Sequence, residues 1–304
     1  VEPLPDDPRL LVLRNKKPQG NVKGVNAMAG AASGKYLMKL DAHCMLAEGY
    51  DEALKAHCEY TWLAVPSRYQ LLAPKSFEDV DNRGWKRVGE DTWDRGRGPT
   101  DYLYLTYPFS WEKQFQWGFH GKKWHGDDGI NGGYYHRDKR DIDIKIDDAM
   151  AFQGSCWFVH RERFMELGGY DQWFYHFQEP QAIGMKFWLS ENGRCIRNKH
   201  TWYAHLHKGR NWGRGYWLSK HKALQDEIYS ADFWFHDRWE RRGRDFRWYV
   251  EHFWPLPGWP DDWDNPEYQR PYLAARTKRR PGLAAWARGF WPQEGWPREW
   301  LDES

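Results

Sequence analysis

"GKYLMKLDAHCMLAEGY", residues 34–50, sets the reading of this chain. Tyr36 to Leu40 forms an apolar run of strand length that drives straight into Asp41, Ala42 and His43. An acid and an imidazole two positions apart point the same way if strand geometry persists. Both are ligands for a divalent cation. The competing structural reading makes Asp41 a cap for the next element and His43 a surface residue, because a D-x-H triplet is short.

On either side of this stretch the pattern is regular. "LLVLR" at 10–14 reads as a short buried strand, and residues 21–32 read as a helix closed by Gly34. After the strand ending at Asp41, a helix is expected through "EGYDEALKAHCEY", then an apolar strand "TWLAVPS" ending at Pro66. This alternation predicts an α/β fold with a mostly parallel sheet flanked by helices. Ligands gather outside the carboxyl ends of such strands, which is where Asp41 and His43 lie.

Residues 67–147 are rich in Gly, Asp, Arg and aromatics with weak periodicity. A stretch this long inside a domain carries function or extra short strands. Regularity returns at "AMAFQGSCWFVHRERFMELGGYDQ": a strand, a helix from Arg161 to Leu167, and a Gly-Gly stop. Next, "EPQAIGMKFWLSENG" spaces Ile183, Phe187 and Trp188 as a helix does, with Gly193 as its stop. "RCIRN" and "TWYAHLH" read as two strands. Twelve of the 22 Trp lie between 209 and 304, among Arg- and Pro-rich stretches. A helix over 216–229 is expected there, followed by an irregular appendage wrapped on the core.

The bulk numbers narrow the class. A chain of 304 residues can bury a sizeable core. A net charge of +2 gives no global field toward nucleic acid or membrane. Cys44, Cys58, Cys156 and Cys195 are widely spaced, which excludes a zinc framework or disulfide scaffold and suggests reduced thiols in a cytoplasmic protein. No apolar run is long enough for a membrane span, and the first residues do not read as a signal peptide. The absence of an initiator Met suggests that sequence is missing upstream. An aromatic content of 18% offers flat faces with polar edges, suited to sugar rings, nucleobases or protein partners.

Taken together, "GNVKGVNAMAGAASGKYLMKLDAH" resembles the segment of family 2 type glycosyltransferases that runs into their D-x-D metal motif. The D-x-H variant is similar to that of the polypeptide N-acetylgalactosaminyltransferases. "FQGSCWFVHRERFMELGGYDQ" resembles the strand-helix element with the "ELGGYDE" signature, followed by a helix opening on the family's acidic residue, here Glu179. Trp188, Gly193 and His205 fall at matching positions, His205 after one inserted residue. The resemblance covers residues 10–209 apart from the insertion at 67–147. It implies a GT-A fold over 1–208, with 209–304 forming a C-terminal lid and aromatic extension.

The resemblance also implies a chemistry. Asp41, His43 and His205 would hold Mn²⁺ or Mg²⁺ under the diphosphate of a UDP-sugar donor, with His207 as the rival of His205. Glu179 would be the base for the acceptor hydroxyl or the group that orients it, against a plain helix-start acid favoured by the dipole. Pro180 departs from the Asn or Asp of the family and leaves the stereochemical outcome open. Asn26 and Lys23 would face the nucleotide and Gly154 the donor sugar. Lys208, Arg210 and Arg214 would meet the diphosphate from a lid hinged at Gly213 and Gly215. The first strand, helix and second strand that hold uracil in the family are expected before "RLLVLR" and are not seen here. The acceptor class stays open among glycan, protein and nucleic acid, such as a hydroxylated base. The alternative from another class is a non-catalytic module that binds glycans or nucleic acid through stretches such as "DRWERRGRDFRW".

Overall fold

The computed structural model describes residues 6–17, 19–72, 93–96, 99–109, 118–124, 144–171, 178–206, 227, 230–231 and 233–266. In chain order the elements are α1 (Asn21–Ala31), β1 (Tyr36–Leu40), β2 (Cys44–Leu46), α2 (Tyr50–Lys55), β3 (Trp62–Leu72) and β4 (Asp94–Arg95). There follow β5 (Leu103–Leu105), β6 (Gly121–Lys123), β7 (Ile146–Asp148), β8 (Cys156–His160), α3 (Arg161–Glu166), α4 (Glu179–Leu189), β9 (Arg194–His205) and α5 (Phe246–Phe253).

Two-residue alternation splits every central strand between two cores. Leu37 of β1, Leu63 and Val65 of β3, Trp157 and Val159 of β8 and Cys195 of β9 face the large core under α1, α4 and α5. Ala64, Phe158 and Ile196, one position out of phase, face Leu54 and Cys58 on the α2 side. The result is an α/β fold with a central sheet flanked by helices. The strand order is β1-β8-β3-β9-β2, with β4 paired to β3 and β7 to β9.

The expected mostly parallel pairing is not what forms. Among the described residues only β3 and β9 pair in parallel, and the other ladders are antiparallel. The strand-helix alternation does not fix direction, because a strand such as β8 can enter the sheet from the opposite end. The β3 strand also does not stop at Pro66. It continues to Leu72, and "RCIRN" and "TWYAHLH" are one strand, β9. Pro66 has no N–H to give the ladder, and the register breaks there: Pro66 pairs with Asn198 but Ser67 with Trp202. Residues 199–201 therefore bulge, and bulges bend and twist a strand. The bend brings the end of β9 toward the end of β1, where Tyr203 and Ser155 share a hydroxyl hydrogen bond of 2.9 Å.

Other expectations change too. Residues 10–14 are not a buried strand: Leu11 is 66% exposed, and no described strand pairs with the segment. Apolar content alone cannot bury a strand that lacks a sheet edge to join. The first helix ends with Ala32 in an extended conformation, without a glycine cap. The Gly-Gly stop after α3 does form, with Gly168 and Gly169 both at positive φ.

Aromatic residues from the two low-periodicity stretches build the core. Tyr102, Tyr104, Tyr107, Phe119 and Trp124 join Trp234, Trp239, Trp259 and Trp263 in one buried cluster with α4 and α5. The last helix places Phe246, Tyr249, Val250 and Phe253 on one face, the i, i+3, i+4, i+7 pattern, and buries all four. Its start is fixed by Asp245, whose side chain accepts a hydrogen bond from the backbone N–H of Trp248. The helix expected over 216–229 lies almost wholly outside the described residues. None of the described helices is long and apolar enough to cross a membrane.

Candidate metal centre

Three strand ends place the site. β1 continues its ladder one residue past Leu40, the Asp41 N–H donating to the Ser155 carbonyl at 2.9 Å. The chain then turns through Asp41–His43 into β2, which pairs with the last residues of β9 so that Cys44 faces His205. The Leu206 N–H donates to the His43 carbonyl at 3.0 Å and closes that corner. Asp41 and His43 thus sit over the end of β9.

The side chains converge. Nε2 of His205 lies 3.3 Å from Oδ2 of Asp41 and 2.9 Å from Nε2 of His43. His43 Nε2 is 3.9 Å from the same carboxylate oxygen. Asp41, His43 and His205 are the one group of described His, Cys, Asp and Glu residues whose ligand atoms cluster in this way, all within 4.8 Å. Two imidazole nitrogens and a carboxylate oxygen make a hard-to-borderline donor set suited to a divalent ion. Adjacent ligands around an octahedral ion with bonds of about 2.1 Å are about 3 Å apart. The closest separations here match that edge, so the residues fit the ion.

Lys39 was not foreseen. Its Nζ bonds the other carboxylate oxygen, Oδ1 of Asp41, leaving Oδ2 to the histidines. Lys39 lies two residues before Asp41, on the same face of β1, and that period was the signal available in the sequence. Burial works against the Asp41 charge. The hydrogen bond from His205 and the Lys39 ammonium outweigh it and bring the carboxyl down to about 2. Asp41 is thus ionised, as a ligand must be.

Glu179 opens α4 nearby. Its Oε1 accepts a hydrogen bond from Nδ2 of Asn21 at 3.0 Å, which ties α4 to the first turn of α1. Its Oε2 is closed to solvent and has no hydrogen-bond partner. Burial raises the Glu179 pKa, and the fields of Lys39 and Asp41 both reach it. Asn21 is a second residue that the sequence did not single out. Pro180 in the first turn is tolerated because that turn's N–H groups have no helical acceptor.

The remaining candidates separate. Asn26 is committed to structure: its side chain donates to the Tyr170 carbonyl at 2.7 Å and accepts from the Tyr170 N–H at 2.9 Å. Lys23 is exposed on α1. Gly154 lies against the Pro180 ring, where an added Cβ would sit 3.4 Å from Cγ, so it adjoins the start of α4. His207, Lys208, Arg210, Gly213, Arg214 and Gly215 lie outside the described residues. All four cysteines are free thiols, and burial pushes Cys58 up to about 12.

Comparison with known proteins supports the fold. No known family's sequence profile matches the chain, and no curated protein sequence does. Among solved structures the fold matches the crystal structure of GalNAc-T7 with UDP, GalNAc and Mn²⁺, with a TM-score of 0.53. The match covers 90% of this chain at 18% identity. This is a GT-A-like fold. The chain spans 43% of the length of the GalNAc-T7 chain, so it corresponds to less than half of that protein.

Proposed function

We propose that this chain carries the catalytic centre of a metal-dependent glycosyltransferase, which moves a sugar from a UDP-sugar to an acceptor hydroxyl. The observation behind this reading is the convergence of Asp41, His43 and His205 at the sheet edge of a GT-A-like fold. GalNAc-T7, whose structure holds UDP, GalNAc and Mn²⁺, supports the same class of donor and ion. Asp41, His43 and His205 would hold Mn²⁺ or Mg²⁺, which would supply positive charge to offset that of the diphosphate leaving group.

The chain's own residues supply the rest. Lys39 fixes the Asp41 carboxylate so that Oδ2 stays with the imidazoles. Glu179, anchored by Asn21, is the group assigned to orient or deprotonate the acceptor hydroxyl, and its raised pKa makes it a stronger base. Lys208 and Arg210, shortly after His205, are assigned to the diphosphate, with 209–304 as lid and extension on a catalytic unit of 1–208. The acceptor is a glycan, a protein or a modified nucleic-acid base. The unpaired thiols are in keeping with a cytoplasmic setting. The rival reading, a binding module with aromatic platforms, loses support because Trp234, Trp239, Trp259 and Trp263 are buried in the core.

Isothermal titration of UDP, with and without Mn²⁺, tests the reading. UDP is expected to bind only when Mn²⁺ is present, and His205→Ala is expected to abolish that binding. Metal-independent UDP binding, or none under either condition, overturns it.

A further inference from the structure

A second concavity lies far from the metal centre. Ala56, His57, Cys58, Glu59, Trp62 and Ile146 line a cavity of about 290 Å³ at the amino ends of β3 and β9. Trp62 opens β3, whereas Gln70, eight residues on, pairs with His205. At ~3.3 Å per residue the two sites are roughly 26 Å apart.

The lining is amphipathic and held in place. The Arg194 guanidinium covers one face of the Trp62 ring, 4.8 Å from its centroid, and is itself held by Asp148. The His57 imidazole stacks on His200 at 4.5 Å with the planes only 12° apart, which fixes its orientation. The Cys58 thiol points at the carbonyls of Glu59, Trp62 and Phe158, so the floor offers no reactive group. Glu59 is exposed, and its carboxylate has no ion-pair partner among the described residues.

Charge and donor chemistry select the ligand. His57 and Glu59 do not form a metal cluster with any described neighbour. A phosphate would meet the Glu59 carboxylate, and the nearest guanidinium is already engaged by Asp148. There remain an indole and an isoleucine beside a carboxylate and an imidazole. That set matches a neutral pyranose: its C–H face packs on apolar side chains while its hydroxyls donate to Glu59 and exchange hydrogen bonds with His57. The volume is at the lower end of ligand pockets, about 300 Å³ upward, enough for one ring with substituents.

We infer that the Trp62–Glu59–His57 cavity is a glycan-binding site for a single neutral pyranose, separate from the metal centre. It does not depend on the chemistry proposed at Asp41. In a glycosyltransferase it would hold a second sugar of a glycan while the reaction proceeds elsewhere.

The test is saturation-transfer NMR on the full chain with methyl glucoside, methyl galactoside and their N-acetylamino counterparts, with uridine as a control. At least one glycoside should bind, with transfer strongest to the ring protons of its apolar face. Glu59→Gln and His57→Ala, both near the surface, should each weaken it about tenfold, the effect of losing one hydrogen bond to a charged or strongly polar partner. Trp62→Ala should remove it, and the two surface variants keep the test sound if that protein fails to fold. Binding should persist in Asp41→Ala and with UDP and Mn²⁺ present. Absence of glycoside binding, unchanged affinity in both surface variants, displacement by UDP, or binding of uridine alone overturns the inference. Failure of the transferase reading would show separately, as absent metal-dependent UDP binding with glycoside binding intact.

Discussion

Replacing Asp41 with Asn keeps the shape of the side chain but removes the charge that Lys39 and His205 share. The fall of its pKa from 3.8 to about 2 corresponds to roughly 2.4 kcal/mol of preference for the ionised form in the fold. The side chain is 31% exposed. Solvent screening therefore reduces this to about 1–2 kcal/mol of stability at neutral pH. Because the folded value lies below the unfolded one, that contribution is complete above about pH 4. It disappears as pH falls toward 2. Urea unfolding of wild type and Asp41→Asn at pH 7 should therefore show a gap of about 1–2 kcal/mol that narrows in acid. Mn²⁺ adds a second readout. A site-bound ion at a hundredfold excess over its dissociation constant stabilises the wild type by about 2.7 kcal/mol, and the variant should gain little of this. Equal stabilisation of both proteins by Mn²⁺ would refute the assignment of Asp41 as a ligand. Equal stability of both at pH 7 without metal would refute the ion-pair account.

Other outcomes follow from the same structure. Gly193→Ala should cost about 3 kcal/mol or more in urea unfolding. An added Cβ would lie 1.7 Å from the Phe187 carbonyl oxygen, and backbone cannot yield there. Trp188 is fully buried and donates Nε1–H to the Ala149 carbonyl, so Trp188→Ala should cost about 4 kcal/mol, measured the same way. Glu179 is raised by burial, so wild-type stability should decline as pH rises from about 4.5 through its folded value. Glu179→Gln should lack that decline in a pH series of thermal melts. Asp148 is opposed by burial but lowered by His252 and Arg194, so its contribution should be present above about pH 4 and fade in more acid solution. Asp148→Asn should lose stability at neutral pH and converge with the wild type in acid.

Local chemistry made some parts of this protein legible from its sequence. The apolar runs and their stops fixed β1, α1, α3 and α4 to within a residue or two, because periodicity and paired glycines act over a few residues. The D-x-H triplet and the distant His205 were assembled by resemblance, and the fold brings their ligand atoms together. Strand direction, the bulge opposite Pro66 and the fate of "LLVLR" were not legible, since each depends on which edge a strand meets. The same holds for Lys39 and Asn21, whose roles arise only when Asp41 and Glu179 have been placed beside them. Composition announced a wealth of aromatic rings but not their use. Tertiary structure decided that the described Trp residues from 234 to 263 mainly build a core, because burying a ring depends on what packs over it.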